Sequence, residues 1–209
     1  MNSLTLRKRI YLIIKRFFDI LLSLIGLVIL LPIFIIIAII IKLDSKGPVF
    51  FKHKRIGKNG KTIGVYKFRS MVINAEELIK KFTPEQKAEY EKNFKLDNDP
   101  RITRVGKILR KTSLDELPQL INIFIGNMSI VGPRPIVTGE IDKYGDQKDK
   151  FLSMTPGLTG YWQASGRSDV EYDERIKMEL YYIDHCSLWL DIKIIFKTFF
   201  AVIKREGAK

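Results

Sequence analysis

ILLSLIGLVILLPIFIIIAIII, Ile20 to Ile41, is almost wholly aliphatic and carries a proline, Pro32, near its middle. A run of this length can cross a bilayer as one helix, but its flanks oppose that reading. Arg7, Lys8, Arg9, Lys15 and Arg16 precede it, and Lys42, Lys46, Lys52, Lys54 and Arg55 follow it. Basic flanks favour the cytoplasmic side, so a true crossing would drag one cluster through the membrane. Pro32 removes a backbone donor and its ring clashes with the preceding turn, which kinks a helix. The arms on either side, Ile20 to Leu31 and Ile33 to Leu43, would each be on the order of 17 Å long, roughly half of a ~30 Å hydrocarbon core. A helix that dips in, breaks at Pro32 and returns satisfies charge and length together. The alternative is a single Pro-kinked spanning helix, since proline is tolerated in such helices. A signal peptide fits less well, because the run outlasts a usual hydrophobic region and no small-residue cleavage site precedes LDSKGP.

Just before this run, KRFFD puts Lys15, Arg16 and Asp19 on one helix face. An acid at the lipid boundary is costly unless paired, so a local ion cluster is expected there, and the basic pair is also suited to a lipid phosphate. The whole chain, 209 residues, holds 36 Lys and Arg against 23 Asp and Glu, a formal charge of +13. Such an excess needs a polyanionic neighbour, and the aliphatic run favours anionic lipid and phosphorylated substrates over nucleic acid. The single cysteine, Cys186, excludes an internal disulfide.

Beyond the aliphatic run the chain is charged and mixed. Val49 to Arg69 reads as two strands around GKNG, a hairpin turn signalled by Asn59-Gly60. Ala75 to Phe94 is helix-prone, with Pro84 either a break or the first turn of a second helix. Ile102 to Lys111 has helical spacing, and a further helix is expected from Leu114 to about Ile125, ended by Gly126. From Gly132 the chain is loop-like through GPRP and TPGLTGYWQASGR, where scaffolded function usually sits. Glu171 to Arg205 is helix-forming and punctuated by Tyr181, Tyr182, Trp189, Phe196, Phe199 and Phe200 among lysines, a pattern suited to a membrane interface or to a core-facing helix. The fold class is therefore α+β, mostly helical.

Within KTSLDELPQL, Lys111 to Leu120, the acids Asp115 and Glu116 stand side by side. Ser113 and Glu116 fit a capping box that only starts a helix. A helix start also favours an ionised carboxylate and gathers phosphate oxygens, and a carboxylate attacks phosphorus when Mg²⁺ and basic side chains neutralise the phosphate. Lys67, Arg69, Arg134 and Arg167 are the candidates for that task. His53 and His185 lack metal-ligand spacing, and neighbouring His185 and Cys186 point about 100° apart on a helix, which disfavours a nucleophile and base pair.

KRFFD, LDSKGPVFFKHKRIGKNGK, YKFRSM, DPRITRVGKILRKTSLDELPQL, NMSIVGPRP, PGLTGYWQASGR and SLWLDIK occur in this order. Together they resemble the bacterial sugar transferases, the monotopic phosphoglycosyl transferases, over roughly Lys15 to Lys204. The resemblance implies transfer of a sugar-1-phosphate from a UDP-sugar to a polyprenyl phosphate, usually undecaprenyl phosphate, with release of UMP in the first membrane step of a glycan pathway. It gives Asp115 the role of nucleophile, forming a phospho-sugar intermediate, with Glu116 as its partner and Mg²⁺ bound nearby at Asp115. It places Arg134 on donor phosphate or uridine and matches Lys15, Arg16 and Asp19 to the family's basic-basic-acid motif. It implies a re-entrant helix broken at proline, residues 1–44 forming that hairpin and 45–209 a catalytic domain in one structural unit on the cytoplasmic face of the bacterial inner membrane. Three departures stand out: Leu31-Pro32 where Ser-Pro is common, Ser45-Lys46-Gly47-Pro48 where Ser-Pro-Gly-Pro is usual, and His185-Cys186 where Asn-Trp is usual. The chain looks like a minimal catalytic form, with UDP-galactose or UDP-glucose favoured over UDP-N-acetyl sugars and the oligomeric state, a homodimer included, left open. The rival readings are a non-enzymatic basic module on nucleic acid or lipid, and a one-step transferase in which the acids serve only as base or metal ligand.

Overall fold

The computed structural model describes residues 6–93, 96, 99–165 and 170–204. Helix α1 (Leu6–Ile29) and helix α2 (Leu31–Asp44) are separated at Leu30 by a 60° bend. Pro32 is not at the bend itself. It occupies the first turn of α2, where its missing N–H has no helical partner to lose, so the chain restarts its helix just ahead of the ring instead of bending over it. The arms therefore differ from the expected ones: the first helix reaches back to Leu6 and ends at Ile29. Among the described residues no single helix is long and apolar enough to cross a membrane, and α1 with α2 qualifies only as a bent pair.

Helix α1 is inside-out. Its inward stripe is Tyr11, Lys15, Asp19 and Ser23, one per turn, while Phe17, Phe18, Leu24, Val28 and Ile29 point outward with Leu31, Ile35, Ile36 and Ile39 of α2. Burial of its polar stripe requires partners from the rest of the chain. An outer face this apolar is far beyond what a water-facing surface carries.

Strands β1 (Phe50–Ile56) and β2 (Thr62–Phe68) form the expected antiparallel hairpin. Its turn puts Asn59 at φ 57° and Gly60 at φ 75°, the left-handed backbone that Asn-Gly adopts readily. Next come α3 (Ala75–Lys80) and α4 (Pro84–Asn93), in which Pro84 opens the second helix, and α5 (Arg104–Lys111), whose Thr103 side chain accepts from the Gly106 N–H.

The capping box is not formed. Ser113 has φ 57° and its side chain makes no cap bond, and Leu114–Glu116 is one 3₁₀ turn. Pro118 has no N–H to reach back to Leu114, so the chain closes Leu117 N–H onto the Leu114 carbonyl at 3.3 Å. The α-helix, α6 (Gln119–Ile125), begins only after the proline and ends at Gly126, φ 92°, as expected.

The GPRP and PGLTG segments are less loop-like than expected. Strand β3 (Ser129–Val131) pairs in parallel with β4 (Gly157–Thr159), with α7 (Lys148–Leu152) between them. A Cβ on Gly157 would lie 2.1 Å from the Gly132 nitrogen, so this backbone approach requires glycine. Helix α8 (Tyr172–His185) and helix α9 (Leu188–Ile203) close the chain. The aromatic residues of this region divide: Tyr182 is buried in the main core with Val131, Ile136, Tyr144 and Ile194, whereas Tyr181, Trp189, Phe196, Phe199 and Phe200 are exposed. A second cluster, Phe34, Ile37, Ile41, Phe68 and Leu109, seats α2 on the hairpin and α5.

Candidate active site

Asp115 lies in the 3₁₀ turn with only 7% of its surface exposed. The turn is held over β2 because Asn122 of α6, fully buried, accepts from the Tyr66 N–H and donates to the Gly64 carbonyl, each at 2.8 Å. That clamp sets Lys67 of β2 beside the acids. Its Nζ donates to Glu116 Oε1 at 2.8 Å and stands 3.8 Å from Asp115 Oδ2. Burial raises the Asp115 carboxyl from 3.8 to about 6, the Glu116 charge adds to the rise, and Lys67 and Arg110 oppose it. A carboxylate in this state is only partly neutralised by the protein, and it is largely ionised at pH 7.

Strand alternation brings two further basic groups to the same side. Phe51 pairs with Lys67 across the hairpin, so His53 and Arg55 share its face. Arg134 enters from the GPRP segment, which is tied to the hairpin where the Ile56 N–H donates to the Ile136 carbonyl at 2.8 Å. Burial, then the charges of Arg55, Lys67 and Arg134, lowers the His53 imidazole to about 4. Arg55 is lowered to about 10 by burial and by Arg134, against the pull of Glu140 and Glu116. The field at this face is cationic.

Arg134 is held from below. Its N–H donates to Glu179 Oε1 at 2.9 Å, Trp162 Nε1 donates to the same oxygen at 3.0 Å, and Tyr144 donates to Oε2. Glu179 is 3% exposed, and burial raises its carboxyl despite these donors. The guanidinium of Arg134 lies 5.8 Å from the Trp162 ring centroid.

The remaining candidates lie elsewhere. Arg69 does not face the acids: its guanidinium donates to the carbonyls of Ser45 at 2.7 Å, Ile41 at 3.4 Å and Lys46, closing the C-terminal end of α2. Lys15 and Arg16 both act on the Asp19 charge, as the local cluster implies, but each of the three takes its direct partner from elsewhere in the chain. Lys15 reaches Asp191 at 2.7 Å, Arg16 donates to the Ile123 and Phe124 carbonyls at 2.6 and 2.8 Å, and Asp19 accepts from the Ile130 N–H at 2.9 Å. Each is a long-range contact, invisible to local spacing. Arg167 lies outside the described residues. Arg55 and His53 were missed as site residues, although period-two alternation with Lys67 was readable from the hairpin. Glu179 and Asn122 had no such signal.

Asp115 and Glu116 are adjacent carboxylates served by one lysine, a donor set that suits a hard divalent cation. No cluster of three or more His, Cys, Asp or Glu is positioned to hold a metal among the described residues. Mg²⁺ commonly takes one or two carboxylates and completes its shell with phosphate oxygens and water, a demand that two adjacent carboxylates can meet.

Residues 10–205 match the family described as bacterial sugar transferase. The chain is 49% identical over 206 residues to the undecaprenyl-phosphate galactose phosphotransferase of Salmonella typhimurium, covering 97% of this chain and 43% of that protein. It is 40% identical over 205 residues to the UDP-glucose:undecaprenyl-phosphate glucose-1-phosphate transferase of Escherichia coli, covering 94% and 41%. With the exopolysaccharide production protein ExoY of Rhizobium meliloti it shares 44% identity over 197 residues, covering 93% and 87%. The chain thus spans less than half the length of the first two relatives and most of the third.

Proposed function

The chain belongs to the bacterial sugar transferase family, and from that premise we propose that it transfers a hexose-1-phosphate from a UDP-sugar to undecaprenyl phosphate, releasing UMP. The observation that carries this reading is Asp115 itself: a buried carboxylate raised to about 6, with Lys67 3.8 Å away, under a cationic face. That arrangement is costly as structure and apt as a nucleophile beside a phosphate.

An Asp115 oxygen attacks the β-phosphorus of the donor, and the bond from that phosphorus to the bridging oxygen breaks, so UMP departs with the electron pair. An oxygen of the polyprenyl phosphate then attacks the same phosphorus and displaces the Asp115 carboxylate, which regenerates the enzyme. Lys67 holds Glu116 and faces the charge gained at phosphorus. Arg134, propped by Glu179 against Trp162, binds the donor's anionic side. Mg²⁺, when bound at Asp115 and Glu116, supplies charge neutralisation for the diphosphate.

The acceptor is a lipid, and the chain's shape suits one. With the outward apolar faces of α1 and α2, their 60° bend and basic flanks on both sides, the pair dips into the inner membrane and returns, leaving residues 45–209 on the cytoplasmic face as the catalytic unit. Exposed Trp189, Phe196, Phe199 and Phe200 on α9 rest at the interface. The galactose and glucose named for two relatives favour a hexose donor.

The test is UMP release from UDP-galactose, UDP-glucose and UDP-N-acetyl sugars, with undecaprenyl phosphate and Mg²⁺ supplied. A labelled sugar-phosphate trapped on the protein, and lost in Asp115→Asn, supports the covalent route. UMP release that survives in Asp115→Asn makes the acid a base or metal ligand at most, and release from none of the donors removes the reading.

A further inference from the structure

Arg55 and Arg134 are both half-buried, and each lies within the other's electrostatic field. Among the described residues, neither has a carboxylate within ion-pairing distance. Glu140 and Glu116 act on Arg55 only at longer range. Holding two like charges together with partial loss of water is unfavourable unless an anion completes the arrangement. Lys67, another cation on this face, is already engaged with Glu116 at 2.8 Å. The two guanidiniums are the groups left to meet a ligand.

The local geometry prepares Arg55 for that contact. Its Nη2 lies 3.4 Å from His53 Nδ1, two residues back on the same strand face. Burial, helped by the surrounding cations, keeps the imidazole neutral at pH 7, so Nδ1 can accept from the guanidinium and orient it. The same strand ends in the bond from Ile56 N–H to Ile136, which fixes the strand bearing Arg55 to the segment bearing Arg134. A planar guanidinium fixed in this way presents paired donors matched to phosphate oxygens.

We infer that Arg55 is a substrate-binding residue which, with Arg134, seats the nucleotide phosphate of the donor, the one that leaves in UMP, and that His53 positions Arg55 for it. The inference rests on the proposed transferase reading and deepens it. Lys67 stands against the acids, where the attacked phosphorus must lie, and the arginine pair lies further along the same face, past His53.

The test is UMP affinity, measured by calorimetry on wild type, Arg55→Gln, Arg55→Lys and Lys54→Gln. Lys54 is exposed and alternates to the opposite face of the hairpin, so its variant controls for simple loss of charge. Arg55→Gln is expected to weaken UMP about tenfold or more, the loss of a charge-assisted phosphate contact. Arg55→Lys is expected to recover part of the affinity, and Lys54→Gln to bind as wild type does. Thermal melting of each variant without ligand separates binding from folding, and if Arg55→Gln does not fold, the lysine variant decides. UMP binding within about twofold of wild type in a folded Arg55 variant overturns the inference, as does an equal loss in Lys54→Gln. If wild type releases UMP from UDP-sugars while Arg55 variants bind UMP normally, only this inference falls; if wild type neither releases nor binds UMP, the transferase reading falls with it.

Discussion

Lys15 Nζ lies 2.7 Å from Asp191 Oδ2, joining the first helix to the last across almost the whole chain, and both side chains are buried. Asp191 is further satisfied by the hydroxyls of Tyr182 at 2.7 Å and Tyr11 at 3.0 Å. A buried pair of this kind is costly to break from one side, because the surviving charge has no water to return to. Asp191→Leu should therefore destabilise the protein by about 3–5 kcal/mol, read as a large fall in melting temperature. Lys15→Met combined with Asp191→Leu should recover much of that loss. Equal melting of the single and double variants would place the cost on the stranded tyrosines instead.

Arg69 gives a second prediction, one that separates folding from binding. Its fork closes the carbonyl end of α2, where unsatisfied acceptors otherwise face a positive partner's absence. Arg69→Ala should cost about 2–4 kcal/mol through several lost charge-assisted bonds, while the donor KM of the folded fraction stays near the wild-type value. A lysine cannot span the same carbonyls with one ammonium, so Arg69→Lys should rescue little. A large rise in donor KM at unchanged melting temperature would return Arg69 to the phosphate site.

Glu179 anchors the GPRP segment through three donors, with Arg134 N–H and Trp162 Nε1 on one oxygen and the Tyr144 hydroxyl on the other. Glu179→Gln keeps one carbonyl oxygen for the first two donors, and its amide can donate to the tyrosine oxygen, so melting should change by no more than about 1 kcal/mol. Glu179→Leu leaves three buried donors unsatisfied and should cost about 3 kcal/mol or more. Its donor KM should also rise, since Arg134 loses its support. Equal melting of the Gln and Leu variants would show that the donors find other acceptors.

How much of this was legible in the sequence depends on the range of each interaction. Asn59-Gly60, Gly126 and Pro84 act within a few residues, and the hairpin, the end of α6 and the start of α4 lie where those residues imply. Pro32 signalled a break, but the hinge settled at Leu30 because a proline is better placed in a first turn than across a bend. Pro118 overrode the capping pattern of Ser113 and Glu116 by a backbone donor it lacks. The inward faces of Lys15, Arg16 and Asp19 depend on α6, β3 and α9, and spacing along one helix carries no trace of partners that distant. Lys67 could be named as a cation near the acids, but its place opposite them comes from Asn122 locking α6 to β2.

Asp115 ties stability to activity through one titration. Its folded pKa, about 6, lies above the 3.8 of the free side chain, so folding binds a proton more tightly than the unfolded chain does. The destabilisation is therefore absent below about pH 4 and fully present above about pH 6, where it amounts to about 3 kcal/mol at most. Asp115→Asn removes the charge while keeping the shape. It should raise the melting temperature at pH 8, have a much smaller effect at pH 4, and abolish both UMP release and the trapped sugar-phosphate. In wild type the single-turnover rate of UMP release should fall as pH drops through about 6, because only the carboxylate attacks phosphorus. An Asp115→Asn protein no more stable than wild type at pH 8 would mean that Lys67 and Arg110 compensate the buried charge in full, and the excess reactivity assigned to Asp115 would lose its physical source.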